Sequence, residues 1–332
     1  ARGSYDVVYV PDGWLPALVE RGKVRPLSSI GVSLADDPCP PSIQARGAYR
    51  GVQYGAPAYG AVWCLLTNRE LLREAGVESV PETWEELAAC AEALREHAPD
   101  VVPYGLPDDS DGHFIDHGAV YAFAGGLSRW ADDDGRCTAD NEWTAKGLAF
   151  LRSLIDRGLA NVPVGMPSAK LFESFLSGGV AMTIGPSDVA LTRRAAEAGF
   201  TLDVSLVPYP IGGRPLSLAS FGLYCVSAAS ERPDLAAALV RRLTAPDESA
   251  GHVRTIGMLP VRSAGAAAAA DERLSVFAAQ LERSALLPTW QLPYVEWFNE
   301  EALSCLRGER SPEKAVAAFA RRIRQALPEL HA

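Results

Sequence analysis

Short apolar runs that alternate with helical stretches constrain the fold of this chain more than any other feature of its sequence. The runs are rich in valine, leucine and aromatic residues, a composition typical of strands. They occupy residues 5–10, 64–67, 180–184, 202–208 and 222–226. Segments with helical periodicity lie between them. This alternation predicts an α/β fold with a mostly parallel sheet.

The helical segments carry recognisable start and stop signals. Thr83 and Glu86 have the spacing of a capping box ahead of residues 87–96. Residues 143–157 place leucines on one face and end at a glycine, and residues 233–243 begin with a proline. A last helix starts near residue 312, and we interpret its basic side chains as a solvated face. These side chains are Lys314, Arg321, Arg322 and Arg324.

Length, charge and cysteine content exclude several classes of protein. The 332 residues suffice for about two domains. The net charge is −10 and no block of Lys or Arg occurs, so neither nucleic acid nor an anionic membrane is the expected partner. No uninterrupted apolar run approaches ~18 residues, so no membrane span is expected. The six cysteines are scattered, which predicts single buried thiols and favours a reducing compartment slightly.

Five segments, taken in chain order, resemble one protein family. They are YDVVYVPDGWLPALVERGKVRPLSS (5–29), the aromatic-rich run of residues 49–87, GGLSRWADDDG and its continuation (125–159), FESFLSGGVAMTIGPSD (172–188), and residues 217–264. In these segments the chain is similar to the extracellular solute-binding proteins of family 1, the maltose-binding-protein-like carbohydrate-binding components of ABC importers. No single segment is diagnostic, and the ordered set is specific for the family and not for a ligand.

The resemblance implies an α/β, two-lobed fold of the periplasmic-binding-protein type II class. The lobes are expected to comprise residues 1–59 with 221–272 and residues 60–220 with 273–332. Hinges are expected near residues 58–61, 216–221 and 264–272. A mono- or oligosaccharide would bind between the lobes, which close on it because the ligand contacts both only in the closed state.

The resemblance also implies how the protein works in a cell. The expected partners are a small-molecule carbohydrate and ABC transporter permease subunits, and the expected state is a monomer. The expected location is extracytoplasmic, as a periplasmic protein or a membrane-anchored lipoprotein. No cofactor and no enzymatic activity are expected, since no G-x-S-x-G, P-loop or G-x-G-x-x-G motif is present.

The chain also departs from the family pattern. Relatives begin with a strand and a helix before the counterpart of residues 5–10, so we expect a truncated chain or a sheet that another segment completes. Ser187 and Asp188 stand where some relatives carry a tryptophan that lines the cleft. Ala61 occupies a place where many relatives carry a polar residue, so one hydrogen bond to the ligand is in question.

The candidate ligand-binding residues follow from the resemblance and from the chemistry of sugars. A sugar offers apolar C–H faces and a rim of hydroxyls, and it binds to aromatic rings and planar polar groups. Residues that follow strand ends or flank the expected hinges supply such groups. The candidates are Asp12, Trp14, Tyr59, Trp63, His113, Phe114, Ser187, Asp188, Ser220, Phe221, Trp290 and Tyr294.

Several candidates have an equally simple structural interpretation. Trp14 can pack a helix start against the sheet, and Tyr59 and Trp63 can pack at a hinge. Asp188 can cap a helix that begins at residue 189. For Trp63, which lies in a strand, packing and ligand contact are about evenly supported.

One motif has the spacing of a metal site. His113 and His117 are four residues apart with Asp116 beside them, and this spacing places both rings on one face of a helix. The motif lacks further zinc ligands, and Gly112 and Gly118 oppose a stable helix, so no metal site is predicted. The acidic residues 132–134 lack the alternate spacing of a calcium loop and predict a solvated turn.

Two other functions stay open from the sequence. One is a cytoplasmic sugar-sensing domain of a regulator, which only the cysteines favour. The other is a carbohydrate-active enzyme, because carboxylates are abundant, although nothing in the sequence sets two of them at a defined separation across a cleft.

Overall fold

The structure is a computed structural model that describes residues 5–35, 39–127, 129–132, 134–245, 248, 258–262, 272–285 and 293–330. The chain divides into two compact units. Unit 1 comprises Ala1–Ala61, Ser187–Ala190 and Ala219–Ser275, and unit 2 comprises Val62–Pro186, Leu191–Leu218 and Val276–Ala332.

The described residues form strands and helices in alternation. The strands are β1 (Val7–Pro11), β2 (Ala48–Tyr49), β3 (Val52–Gln53), β4 (Gly55–Asn68), β5 (Val102–Gly105), β6 (Val180–Pro186), β7 (Leu202–Ser205), β8 (Ser217–Val226), β9 (Leu259–Pro260) and β10 (Ser284–Ala285). The helices are α1 (Leu15–Glu20), α2 (Pro41–Gln44), α3 (Arg69–Glu74), α4 (Trp84–His97), α5 (Phe114–Ala122), α6 (Glu142–Asp156), α7 (Ser168–Leu176), α8 (Val189–Glu197), α9 (Pro233–Leu243), α10 (Glu272–Glu282), α11 (Pro293–Leu306) and α12 (Pro312–Leu330). Short 3₁₀ turns cover Asp12–Trp14, Leu27–Ile30 and Ala45–Gly47.

In unit 1, the first strand pairs with a strand more than two hundred residues further along the chain. β1 runs antiparallel to β8, with Val7 opposite Val226 and Pro11 opposite Gly222. Neighbouring residues of a strand point to opposite faces, so Val226 and Cys225 enter different cores. Cys225 packs with Leu15 of α1, and Val226 packs with Val240 of α9.

A single arginine fastens this pairing at its outer end. Arg25 donates hydrogen bonds from its guanidinium to the carbonyls of Ser227, Ala228 and Ser230, at 3.1, 2.8 and 2.9 Å. The hydroxyl of Ser230 in turn bonds to the carboxylate of Asp6 at 2.5 Å. The segments on either side of β1 are therefore tied to the segment that follows β8.

In unit 2, the second half of β4 pairs with two strands, β6 and β7. It runs antiparallel to β6 and to β7, and β6 runs parallel to β5. Helices α5, α6, α11 and α12 pack together beside these strands. Their core contains stacked aromatic pairs, among them Trp84 with Phe150 at 4.9 Å and Trp130 with Phe298 at 5.4 Å between ring centroids.

The structure confirms the α/β class and corrects two details. The expectation of a mostly parallel sheet is wrong among the described residues, because β4 runs against β6, β7 and β9 and β1 runs against β8. The basic face of α12 is also more than a solvated surface. Arg322 bonds to Glu300 at 2.6 Å and Arg324 pairs with Asp140, so these arginines join α12 to its neighbours.

The predicted hinges fall within or beside long strands. Residues 58–61 lie inside β4, and residues 216–221 overlap the start of β8. Most of residues 264–272, including the alanine-rich run, lies outside the described residues. The lobe boundaries and the hinge role of these segments stay predictions. No helix in the described part of the chain is both long and apolar enough to cross a membrane.

The capping box at Thr83 provides a test of the local energetics. The Thr83 hydroxyl accepts from the Glu86 amide at 3.2 Å, and the Glu86 carboxylate accepts from the Thr83 amide at 3.2 Å. We expect Thr83→Ala to lower the free energy of unfolding by about 1 kcal/mol, since an amide of the first turn loses its acceptor. Urea denaturation measures this loss. Thr83→Ser keeps the hydroxyl and is the matched control; equal losses in both variants would contradict the capping role.

Candidate functional site

In unit 1, the C-terminal end of β1 presents one buried and one exposed candidate side chain. The 3₁₀ turn Asp12–Trp14 follows the strand directly, and α1 begins at the next residue, Leu15. Leu15 is fully buried, so it anchors the start of the helix in the core. The neighbouring Trp14 keeps 64% of its surface exposed. An indole held outside the core on a short, anchored turn is well placed to stack on a ligand.

The carboxylate of Asp12 is held in a buried ion pair. Its Oδ2 atom lies 2.6 Å from Nε of Arg46, and its Oδ1 atom accepts the amide of Gly13 at 3.0 Å. Both side chains are almost completely buried. Since a buried charge needs a partner, this pair fixes the orientation of the carboxylate and balances its charge. A carboxylate oriented in this way can accept a further hydrogen bond from a sugar hydroxyl.

Three tyrosines, one on each of the consecutive strands β1, β8 and β4 of the sheet, form an aromatic cluster beside this turn. Tyr9 of β1 stacks on Tyr59 of β4 with ring centroids 5.1 Å apart and an interplanar angle of 21°. Tyr224 of β8 meets Tyr9 edge-on at 5.9 Å. Tyr59 is one of the candidates predicted from the sequence, whereas Tyr9 and Tyr224 are not. The missing information is the pairing of β1 with β8, which no local pattern reveals.

The hydroxyl of Tyr9 stays protonated over the physiological range. Burial of the phenol, its hydrogen bond to Tyr59 and the nearby charge of Asp12 all raise the pKa of Tyr9 well above its ordinary value. A neutral phenol donates and accepts one hydrogen bond, as sugar hydroxyls do. The cluster therefore combines apolar ring faces with neutral polar edges.

The remaining unit 1 candidates are mostly covered by protein. Ser187 is buried, and Asp188 and Ser220 are half-buried. Phe221 is buried with its ring against Gly60, where an added Cβ would lie 2.8 Å from a ring carbon. Packing is thus the observed role of Phe221. Contact of any of these residues with a ligand stays a prediction.

The aromatic candidates of unit 2 also pack against protein. Phe114 is fully buried, and Tyr294 is fully buried and stacks on Trp297 at 5.2 Å. Trp63 is half-buried, stands opposite Pro186 and contacts the core. Trp290 lies outside the described residues. The sequence could not separate these roles, because an aromatic residue in a loop and one in a core look alike without the fold.

The polar candidate His113 lies at the start of α5 beside an acidic side chain. Its Nδ1 atom is 3.1 Å from Oδ2 of Asp116, and 60% of its side chain is exposed. Residues 114–122 are helical, contrary to the expectation from the glycines. Gly118 is required there, since an added Cβ would lie 2.9 Å from the rings of both Phe114 and Phe298.

The three titratable side chains of this segment have shifted pKa values. The hydrogen bond to Asp116 raises the pKa of His113. Burial raises the pKa of Asp116 to about 6 and lowers that of His117 to about 3. His117 is buried, and its Nδ1 atom has no hydrogen-bond partner among the residues that the structure describes. No group of three or more potential metal ligands occurs within the described ranges.

The loop that carries His113 is fixed by a second carboxylate. Asp108 accepts the amides of Ser110 and Met166 at 2.9 and 2.8 Å, which ties residues 108–110 to the loop before α7. Burial opposes ionisation of Asp108, but the hydrogen bonds from Ser110 and Met166 outweigh it and lower its pKa. The His113 loop is therefore held by a charged anchor.

Comparison with known proteins gives a consistent result. The sequence profile of a family described as bacterial extracellular solute-binding protein matches residues 1–250. The chain is 24% identical over 301 residues to the diacetylchitobiose-binding protein DasA of Streptomyces coelicolor, covering 86% of this chain and 68% of that protein.

Solved structures show the same fold. The GacH receptor of Streptomyces glaucescens, solved alone and with acarbose, superposes with a TM-score of 0.87 at 24% identity, covering 98% of this chain and 84% of that chain. A solute-binding protein of an ABC transporter from Thermotoga lettingae, bound to α-D-tagatose, gives a TM-score of 0.86 at 20% identity, covering 97% and 85%. The fold class expected from the sequence is confirmed.

The buried histidine predicts how stability depends on pH. The unfolded chain protonates His117 near pH ~6.5, whereas the folded protein keeps it neutral down to about pH 3. The unfolded state binds the extra proton between these values, so this residue makes the free energy of unfolding rise with pH. We expect His117→Gln to reduce that slope between pH 4 and 6 by up to about 1.4 kcal/mol per pH unit. Denaturation at a series of pH values measures it.

Asp116→Asn is the matched control because its effect has the opposite sign. The folded protein holds the Asp116 proton up to about pH 6, whereas the unfolded chain loses it near pH ~3.9. This residue therefore makes stability fall as pH rises, and its removal should make the slope larger. Slopes that change in the same direction in both variants would contradict the assigned burial of the two groups.

Proposed function

The chain belongs to the bacterial extracellular solute-binding protein family, and from this premise we propose that it is the carbohydrate-binding component of an ABC importer. Its ligand is a mono- or oligosaccharide. The observation that carries the proposal is the exposed Trp14 beside the buried Asp12–Arg46 pair at the end of β1. An aromatic face next to an oriented carboxylate meets the two chemical needs of sugar binding.

The names of similar proteins support the ligand class. DasA is named for diacetylchitobiose, and the GacH receptor was solved with acarbose. The Thermotoga lettingae protein holds α-D-tagatose. These ligands are all carbohydrates, but they differ in size and linkage. The proposal therefore extends to the class of ligand and not to one sugar.

The family also supports the remaining parts of the proposal. Its description as extracellular supports action outside the cytoplasm. We propose that the protein acts there as a periplasmic protein or a lipoprotein and delivers its ligand as a monomer to ABC permease subunits. It binds its ligand without transforming it. Five of the six cysteines are buried, and Cys137 is half-buried. Burial raises the pKa of the Cys64 and Cys225 thiols and disfavours reactive thiolates, so they can persist in an oxidising compartment.

A thermal-shift screen tests the ligand class directly. The panel contains maltose, acarbose, diacetylchitobiose and D-tagatose, with an amino acid, a dipeptide and a divalent metal salt as other classes. A ligand that binds only the folded state raises the melting temperature by mass action. We expect a carbohydrate to give the largest rise. A rise with the amino acid, peptide or metal alone would refute the carbohydrate proposal, and turnover of an oligosaccharide would refute the absence of catalysis.

Trp14→Ala tests the exposed indole. We expect it to weaken carbohydrate binding about tenfold or more, since loss of one ring face removes roughly 1–2 kcal/mol of stacking. The melting temperature without ligand should change little, because the indole is mostly exposed. Titration calorimetry measures the affinity. Tyr5→Ala is the matched control, an exposed aromatic residue that precedes β1 instead of following it. Equal affinity of the Trp14→Ala variant and the wild type would remove Trp14 from the site.

A further inference from the structure

Tyr9 occupies space that a side chain at Gly222 would fill. Gly222 stands opposite Pro11 in the β1–β8 pairing, two residues from the position opposite Tyr9. A Cβ atom added to Gly222 would collide with Cε2, Cζ and the hydroxyl of Tyr9, and these are its three nearest atoms. The Tyr9 ring thus leans along the strand and lies across β8 above Gly222.

This arrangement explains how residues on non-adjacent strands can stack. β8 lies between β1 and β4 in the sheet. A side chain on β8 between Tyr9 and Tyr59 would separate their rings. Because Gly222 has none, the two rings meet with centroids 5.1 Å apart.

From this geometry we infer that Tyr9, positioned by Gly222, is a specificity-determining ligand contact that presents its ring to the C–H face of a pyranose. The inference rests on the proposed function and names a residue that the family resemblance did not supply. Tyr9 keeps 43% of its surface exposed although its ring is stacked on Tyr59 and meets Tyr224 edge-on. One part of the ring is therefore held by protein while another part is open to a ligand.

The polar surroundings of Tyr9 fit an uncharged sugar. Its hydroxyl bonds to that of Tyr59, and the charge of the nearby Asp12 is balanced by Arg46 at 2.6 Å. Charge near the ring is thus balanced within unit 1. Aromatic faces with neutral hydroxyl edges suit a pyranose with free hydroxyl groups.

Gly222 can be replaced by alanine without backbone strain, because its φ angle is not positive. It is not among the glycines with positive φ, so alanine meets no backbone penalty there. The three atoms nearest to the added methyl carbon all belong to Tyr9. We therefore expect Gly222→Ala to act mainly through the position of the Tyr9 ring.

The experiment is a double-mutant cycle on the full chain. Affinity for the best-binding carbohydrate of the panel named above is measured by calorimetry for the wild type, Tyr9→Ala, Gly222→Ala and the double variant. We expect each single variant to weaken binding about tenfold, and the double variant to bind no more weakly than Tyr9→Ala. Tyr9→Phe keeps the ring and should stay within about threefold of the wild type.

Gly55→Ala is the matched control in the same sheet. There an added Cβ would meet Leu223 and Cys225 at 3.0 and 3.1 Å, so it crowds the core without touching Tyr9. We expect it to lower the melting temperature and leave the affinity unchanged. If Gly222→Ala alone does not fold, the double variant carries the comparison, because without the Tyr9 ring the methyl group has room.

The outcomes separate this inference from the proposed function. Wild-type affinity in both Tyr9→Ala and Gly222→Ala would overturn the inference while leaving carbohydrate binding intact. A double variant much weaker than Tyr9→Ala would also overturn it, since the methyl group would then act elsewhere. A wild-type protein that binds no carbohydrate of the panel would refute the proposed function and the inference with it.

Discussion

The antiparallel pairing of β1 with β8 is the interaction on which unit 1 depends. It places Tyr9 opposite Tyr224 and Pro11 opposite Gly222, and it positions the turn that carries Asp12 and Trp14. Arg25 secures the pairing from outside the strand, since three carbonyls beyond β8 accept its guanidinium hydrogens. This ladder positions Tyr9 beside Tyr224, and together with the Asp12–Arg46 pair and the buried Leu15 it holds the turn that follows β1.

The two units use their aromatic residues differently. In unit 1, Trp14 is largely exposed and Tyr9 is partly exposed, and both lie close to a buried ion pair. In unit 2, rings such as Phe114 and Tyr294 fill the core. The polar candidate of that unit, His113, is largely exposed and lies next to Asp116. Unit 1 thus keeps aromatic rings partly exposed, whereas the rings of unit 2 named here are buried.

Local features of the fold were predictable from the sequence, and long-range features were not. The capping box at Thr83 and the proline-initiated helix Pro233–Leu243 were both predicted, because their signals lie within a few residues. The ordered resemblance predicted the family. Strand directions were predicted wrongly, since β4 is one continuous strand and its partners come from distant parts of the chain. Trp14 was predicted as a candidate because it follows a strand. Tyr9 was not predicted, because its stacking on Tyr59 depends on the lack of a side chain at Gly222.

The distance along the chain between β1 and β8 also sets an order of events during synthesis. The ribosome adds roughly 200 residues between the two strands, which takes about 10–40 s at common elongation rates. Throughout that time the uncharged run Val7–Pro11 has no β8 to pair with, and an unpaired apolar strand readily joins other chains. We therefore expect this strand to be exposed to pairing with other chains until the later part of the protein emerges. Among the strand pairs described, β1 and β8 are separated by the longest stretch of chain, so β1 waits longest for its partner.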